Sequence, residues 1–465
     1  MGSFLSILGI GFMGAVLSTN LKASSSGSES NSVIHFPDQP TLLPVKNGDE
    51  EEVQHVPLRT LIETHCPSLF RPFKPLWYLF NGHLQTLYCV FGDFSKHDRM
   101  GYLRRYIKTA DGGTIGLDFA PVDQGSVPDD APVIVVQHGL TGGSYEPYVR
   151  AVLSRACKPV SEGGLGYRAV VINFRGCAGV PITSPLLYSA GHTDDTRHAL
   201  AYIAHKYPKA HRHGLGFSLG SNVLTRYLGE EREATRLHST CALACPWNLK
   251  ANNHGLLNSF LGKHVYSKGM GGNLLNLLKK HAKSLTADPS HYVAIAALNA
   301  LQLKNPTLEM FDECFTRIAG GPAPHFPFKN SEEYYIWGSS DHIVEHITVP
   351  FLAINADDDP VVRHVPMDGK GNGKVVMQLT KGGGHLGWFE AGDGRVERWT
   401  TQPVLEWLKV MGKVVHEHHH SSPKLYIDGE GWLCEEGRDH IRCKELEECH
   451  VVNGNGGETG ILQGL

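Results

Sequence analysis

Between residues 101 and 247, short apolar runs alternate with amphipathic stretches. Residues 101–122, "GYLRRYIKTADGGTIGLDFAPV", place two β-rich runs around Asp111-Gly112-Gly113 and predict a hairpin. Residues 131–140, "APVIVVQHGL", form a continuous apolar run ending in His-Gly, the mark of a strand buried on both faces. "YEPYVRAVLSRAC" follows with helical spacing, and "YRAVVINFRG" (167–176) reads as another buried strand. "DDTRHALAYIAHKY" (194–207) predicts a helix whose first-turn aspartates suit the macrodipole. "HRHGLGFS" is a weaker strand leading into the helix "SNVLTRYLGEE", and "STCALACPW" (239–247) is the next strand. Strands and helices alternating at this spacing predict a mostly parallel, doubly wound α/β sheet.

The rhythm breaks over residues 248–345, where helical stretches such as "LLNLLKKHAKSL" predominate. It resumes with "ITVPFLAINADDDP" (347–360) and "GKVVMQLTKGGGH" (373–385), and "VERWTTQPVLEWLKVMG" closes as a helix. The chain thus divides into an N-terminal apolar segment and disordered linker (1–60), a core (61–247 and 346–412), a helical cap insertion (248–345) and a polar C-terminal tail (413–465). An insertion above the carboxyl ends of the strands is well placed to cover a site.

Composition narrows the functional classes. The 465 residues carry a formal net charge of −4, so no basic surplus exists for a polyanion, which argues against nucleic acid as a partner. Ten cysteines without paired spacing over most of the chain fit reduced, intracellular usage rather than a disulfide scaffold. Residues 4–21, "FLSILGIGFMGAVLSTNL", contain no charge, and no basic residue precedes them as a secretory signal requires. They read as a short membrane anchor. Gly2 and Ser6 also fit the N-myristoylation pattern. Both readings predict membrane association of an otherwise cytoplasmic chain.

The chemistry centres on Ser218, in Gly216-Phe217-Ser218-Leu219-Gly220. Gly-x-Ser-x-Gly between strand and helix is the pattern of a nucleophile elbow. A serine needs a base to take its proton, and the base needs an orienting acid. Candidates follow in chain order at the ends of the last two core strands: Asp357-Asp358-Asp359, then His385 in "GGGHLG". His385 is assigned as base and Asp359 as its orienter, with Asp358 the alternative. Acyl transfer also needs donors to the developing oxyanion. These are assigned to the backbone N–H groups of Leu219 and of Leu140 in "QHGLTGGS", with Thr141 the alternative. "HGLTGG" lacks the Gly-Lys-Ser/Thr of a Walker phosphate cradle. Cys177 is a weak second nucleophile, because no base is assigned to it. "HEHHH" (416–420) and Cys434, His440, Cys443, Cys449 and His450 fit no zinc module. The reading calls for no cofactor and no metal.

The strings "NGHLQTL" (81–87), "HGLTG" (138–142), "NFRGCAG" (173–179), "YSAGHTDD" (188–195), "GFSLGSN" (216–222), "INADDDP" (354–360) and "GGGHLGW" (382–388) occur in this order. In this the chain resembles the AB-hydrolase-4, or YheT-like, family of α/β-hydrolase-domain proteins over about residues 65–412. It is most similar to the branch of medium-chain fatty acid ethyl ester synthase/esterases and monoacylglycerol lipases. The resemblance implies an α/β-hydrolase fold, a serine hydrolase acting on acyl esters, and a triad of Ser218, Asp359 and His385. One departure is Ser221, where relatives often have a second glycine. The expected reaction is ester hydrolysis through an acyl-enzyme. Passage of the acyl group to an alcohol is the first alternative, and a non-catalytic binding protein on the same fold the second. "NFRGCAG" and "YSAGHTDD" have no derivable catalytic role, and Arg175 with Asp194 or Asp195 is expected to tie loops together.

Overall fold

The structure is a computed structural model describing residues 32–46, 53–392, 394–415 and 421–464. The apolar segment 4–21, the Gly2/Ser6 pattern and the "HEHHH" clump lie outside the described residues. Among the described residues, no helix is long and apolar enough to cross a membrane.

The predicted parallel strands form the middle of one twelve-stranded sheet. In chain order its strands are β1 (Val33–His35), β2 (Gly101–Thr109), β3 (Thr114–Ala120), β4 (Val133–Gln137), β5 (Arg168–Asn173) and β6 (Arg212–Phe217). They continue as β7 (Ser239–Leu243), β8 (Phe351–Ala356), β9 (Val375–Thr380), β10 (Leu425–Ile427), β11 (Leu433–Glu435) and β12 (Arg438–Asn453). Their spatial order is β1-β9-β8-β7-β6-β4-β5-β3-β2-β12-β11-β10. From β5 to β9 all neighbours pair parallel. β2 and β3 form the predicted antiparallel hairpin.

The helices are α1 (Leu58–His65), α2 (Gly82–Phe91), α3 (Pro147–Ala156), α4 (Asp194–Lys206) and α5 (Leu219–Glu231). Then come α6 (Leu249–Leu257), α7 (Lys268–Leu285), α8 (Tyr292–Leu301), α9 (Ser331–Gly338) and α10 (Thr401–Lys413). The two-residue period of a strand decides which helix each side chain meets. Ile134 and Val136 of β4 pack with Val149 and Leu153 of α3 and Trp407 of α10. Val133 and Val135 point the other way, toward Leu200 of α4 and Leu224 of α5. Both faces are covered, which explains why β4 reads as an unbroken apolar run. A third cluster joins cap residues Leu274, Leu278, Val293 and Phe311 to Phe174, Tyr188 and Val223 of the core.

Two stretches differ from the sequence reading. Residues 413–465, read as a polar tail, supply β10–β12 of the main sheet, and β12 pairs with β2 from Cys443↔Thr109 to Asn453↔Gly101. Their polarity follows from position. In β12 only Ile441 and Cys443 are buried, so the alternation that marks a half-buried strand is nearly absent. The linker likewise contains β1, which pairs antiparallel with β9, and a hairpin of Leu42–Lys46 with Val53–Pro57. Strands of three to five residues are too short to show a period.

Candidate active site

β6 ends at Phe217 and α5 begins at Leu219, so the whole reversal falls on Ser218, at φ 50° and ψ −119°. A non-glycine residue there is strained by roughly 1–3 kcal/mol and must be held by its surroundings. Ser218 N–H donates to Leu243 O at 2.9 Å. The hydroxyl of Ser221 bridges the same residue, donating to Leu243 O at 2.9 Å and accepting from Leu243 N at 3.1 Å. A Cβ on Gly220 would lie 2.3 Å from Gln137 O, so this glycine is required by the close approach of β4.

The strand-end segment after β8 is fixed by three consecutive carboxylates with three different partners. Asp357 accepts Gly382 N–H at 2.8 Å, and Asp358 accepts Gly384 N–H at 2.9 Å. Asp359 Oδ2 faces His385 Nδ1 at 2.8 Å. Asp359 Oδ1 accepts from Val361 N at 2.8 Å and Val362 N at 3.0 Å, which fixes its plane. The structure thus brings Asp359 to the imidazole and sets Asp358 to the glycine loop instead. Burial raises the Asp358 carboxyl above the ordinary carboxylate range. In the loop, Gly383 sits at φ 134°, where a Cβ would also lie 2.4 Å from Trp388 Nε1.

His385 Nε2 lies 2.8 Å from Ser218 Oγ. An ionised carboxylate can only accept, so Nδ1 carries the proton and Nε2 is left to accept from the serine hydroxyl. Ser218 is 8% exposed, and the Asp359 side chain is fully buried. Ser218, His385 and Asp359 therefore stand in one hydrogen-bonded line that can draw a proton from Oγ as it attacks a carbonyl.

α2 supplies the support that the sequence reading missed. Thr86 Oγ1 accepts His385 N–H at 2.8 Å, and Gln85 Oε1 accepts Phe389 N–H at 2.7 Å. Asn81 caps the helix by accepting Leu84 N–H at 3.0 Å. All three are polar positions of "NGHLQTL", which carries no local sign that Gln85 and Thr86 meet partners about 300 residues away. His83 Nδ1 lies 2.8 Å from the cap's Tyr266 hydroxyl, joining α2 to the insertion.

The loop after β4 is held by two tyrosines the sequence reading also missed. Gly139 N–H donates to Tyr148 Oη at 3.0 Å, and Thr141 N–H donates to Tyr188 Oη at 3.0 Å. Leu140 and Leu219 N–H have no hydrogen-bond partner among the described residues. Of the two donors considered after β4, Thr141 is occupied and Leu140 is open. His138 stiffens the loop: Nδ1 is 2.7 Å from Gly139 O, and Nε2 accepts Phe174 N–H at 3.3 Å. Burial pushes its pKa down to about 4, so it is neutral.

Ser218 opens into a pocket lined by Leu140 and Leu219 from the core and by Leu256, Met270, Leu274 and Leu308 from the cap. Arg175 grips Asp195 with Nε at 2.8 Å and Nη2 at 2.7 Å and reaches Asp111 at 2.5 Å, tying the β2–β3 turn to α4. Asp194 pairs instead with Arg197 at 2.8 Å. Cys177 is buried and its thiol is pushed up by that burial, which disfavours a thiolate nucleophile. Cys434 and Cys443 lie on adjacent strands β11 and β12. Among the described residues, no group of three or more His, Cys, Asp or Glu could hold a metal ion.

This elbow, this strand order and this serine–histidine–aspartate line define a class. A family model described as alpha/beta hydrolase fold matches residues 132–390, and the chain belongs to that family. Within it the chain is a carboxylic ester hydrolase. It is similar to a monoacylglycerol lipase of Saccharomyces cerevisiae, 31% identical over 420 residues, covering 81% of this chain and 90% of that protein. It is also similar to medium-chain fatty acid ethyl ester synthase/esterase 2 of the same yeast, at 28% identity, 74% of this chain and 86% of that one. Phospholipase ABHD3 of Homo sapiens is 27% identical, covering 77% of this chain and 83% of that protein.

Proposed function

We propose that Ser218, His385 and Asp359 act as nucleophile, general base and orienting acid in the cleavage of esters of medium-to-long acyl chains, acylglycerols among them. The observation that carries this reading is the 2.8 Å contact of Ser218 Oγ with His385 Nε2 at the mouth of an apolar pocket. His385 Nε2 takes the hydroxyl proton as Oγ attacks the acyl carbonyl. The Leu140 and Leu219 amides receive the negative charge that forms on the carbonyl oxygen. His385 then returns the proton to the departing alkoxide, and water repeats the sequence on the acyl-enzyme. The apolar wall contributed by Leu256, Met270, Leu274 and Leu308 suits the acyl chain.

A second reading uses the same acyl-enzyme. An alcohol replaces water as acceptor, and an ester is made. The relative named as an ester synthase and esterase favours keeping it. Residues 4–21 are read as the segment that brings the enzyme to a membrane, where its substrates partition.

A panel of esters of graded acyl length, run on wild type and Ser218→Ala with and without ethanol, tests the proposal. Wild type should release acid from medium and long esters, and Ser218→Ala should lose at least 10³-fold in rate. Full activity in Ser218→Ala would contradict it. Ethyl ester as the main product in ethanol would favour the second reading.

A further inference from the structure

β12 ends at Asn453, and the chain then crosses the seam between core and cap as residues 454–464, "GNGGETGILQG". One carboxylate spans that seam. Glu458 Oε1 accepts from Lys280 Nζ of α7 at 2.7 Å, and its Oε2 accepts Ala178 N–H of the core at 3.0 Å. The next residues lie along α7. Asn276 Nδ2 donates to Gly460 O at 2.9 Å, and the N–H and O of Leu462 exchange 2.9 Å hydrogen bonds with the Asn273 side chain. Ile461, 8% exposed, packs into the cluster that joins Leu274 and Leu278 of α7 to Phe174 and Val223 of the core. Gly464 N–H then returns to the core and donates to Glu146 Oε2 at 3.1 Å.

Both sides of this crossing bear on Ser218. On the cap side, Leu274 follows Asn273 directly, and it lines the pocket at Ser218 together with Met270. On the core side, Ala178 and Glu146 stand against the loop that follows Leu140. A Cβ on Gly143 would lie 2.6 Å from Ala178 Cβ, and one on Gly142 would lie 3.0 Å from Glu146 Cγ. The fastening is weak for its length. Five residues of the segment are glycine, the residue that loses most backbone freedom on ordering. Ile461 is buried, but Leu462 is 42% exposed. The remaining ties are hydrogen bonds and one partly exposed ion pair, whose net contributions are small. A segment held in this way detaches at a lower free energy than the sheet beneath it unfolds.

We propose that residues 454–464 form a latch that holds α7 down beside the pocket, and that its release opens the path to Ser218 for molecules too large for the closed cap. The inference rests on the ester hydrolase reading above and names a control on access to that site. Glu458 is the catch, because loss of its carboxylate parts cap from core at one stroke. Ile461 is the apolar seat. The hydrogen bonds that fix the triad come from Leu243, Thr86, Val361 and Val362, and none involves a residue of the segment. Release therefore moves the cap and leaves the nucleophile in place.

The test uses the full chain as wild type, Glu458→Ala and Ile461→Asp, with two readouts. One is backbone hydrogen exchange. The other is the rate at which Ser218 is labelled by a small dialkyl fluorophosphate and by a fluorophosphonate carrying a long biotinylated linker. In both variants exchange in α7 should quicken about 10-fold or more, while β4 and β6 exchange as in wild type because the core stays folded. The ratio of long-probe to small-probe labelling should rise about 5-fold or more. Faster exchange with a ratio within about 2-fold of wild type overturns the inference, since the segment then only stabilises the cap. Exchange in α7 that matches wild type overturns it as well. If Ile461→Asp loses protection in β4 and β6, Glu458→Ala alone decides. A wild type that reacts with neither probe sinks the site reading, and the latch, left with no nucleophile to gate, falls with it.

Discussion

Asp358 Oδ1 accepts the backbone N–H of Gly384 at 2.9 Å, one residue before the imidazole that Asp359 holds at 2.8 Å. Neighbouring carboxylates thus serve the same histidine in different ways. Asp359→Asn removes the acceptor that fixes the imidazole tautomer and should lower kcat about 10³- to 10⁴-fold. Asp358→Ala loosens the glycine loop and the start of α2 at Gly82, and should cost about 10- to 100-fold, with Ser218 still labelled by a fluorophosphonate. Steady-state kinetics on one chromogenic ester separates the two.

The hydroxyls of Tyr148 and Tyr188 accept the amides on either side of Leu140, at 3.0 Å each. Tyr188→Phe frees the Thr141 amide and lets the loop that presents Leu140 shift. A misplaced oxyanion donor costs rate more than binding, so kcat should fall about 10- to 100-fold while KM changes little. An equal rise in KM with kcat unchanged would assign Tyr188 to substrate binding instead.

Gly220 and Ser221 are adjacent on α5 but should respond to substitution to different degrees. The Cβ of Gly220→Ala would meet Gln137 O at 2.3 Å and His138 O at 2.6 Å, and overpacking against backbone should cost about 3 kcal/mol or prevent folding. Ser221→Gly loses a hydroxyl that bridges Leu243 and should cost about 1–2 kcal/mol with the esterase activity retained. Chemical denaturation of the two variants measures the difference.

Glu146 is fully buried behind the Leu140 loop, accepts Gly464 N–H at 3.1 Å, and is pushed up by burial to about 8. The unfolded carboxyl ionises near 4.5, so between these values the folded chain holds one more proton than the unfolded chain. Stability then falls as pH rises, by at most about 1.4 kcal/mol per pH unit, and levels off above about 8. His138, pushed down to about 4, acts in the opposite sense below about pH 6.5. Asp312, pushed up to about 7, adds to the Glu146 slope until it ionises. The clean comparison is therefore denaturation at pH 7 and pH 8, where Glu146→Gln should flatten the fall seen in wild type.

Much of this is legible in the sequence, for a physical reason. β4 and β5 are buried on both faces, so their apolar runs are continuous and need no partner to be recognised. Ser218 was marked by glycines that close contacts demand. Asp358 and Asp359 were not separable, because both stand in the same turn and only its geometry aims one at His385. Thr86 and Gln85 leave no such sign, because a polar residue on a helix looks the same whether it meets water or a loop about 300 residues later. β12 was hidden by its exposure: a strand with two buried side chains carries almost no apolar signal.

In the proposed reaction the hydroxyl of Ser218 is the activated nucleophile. The most direct test of that role is the intact mass and peptide map of the protein after brief exposure to a fluorophosphonate, for wild type, Ser218→Ala and His385→Ala. A single adduct on Ser218, absent in Ser218→Ala and formed at least 100-fold more slowly in His385→Ala, is the predicted result. An adduct on another residue, or labelling unchanged by loss of the imidazole, would contradict it.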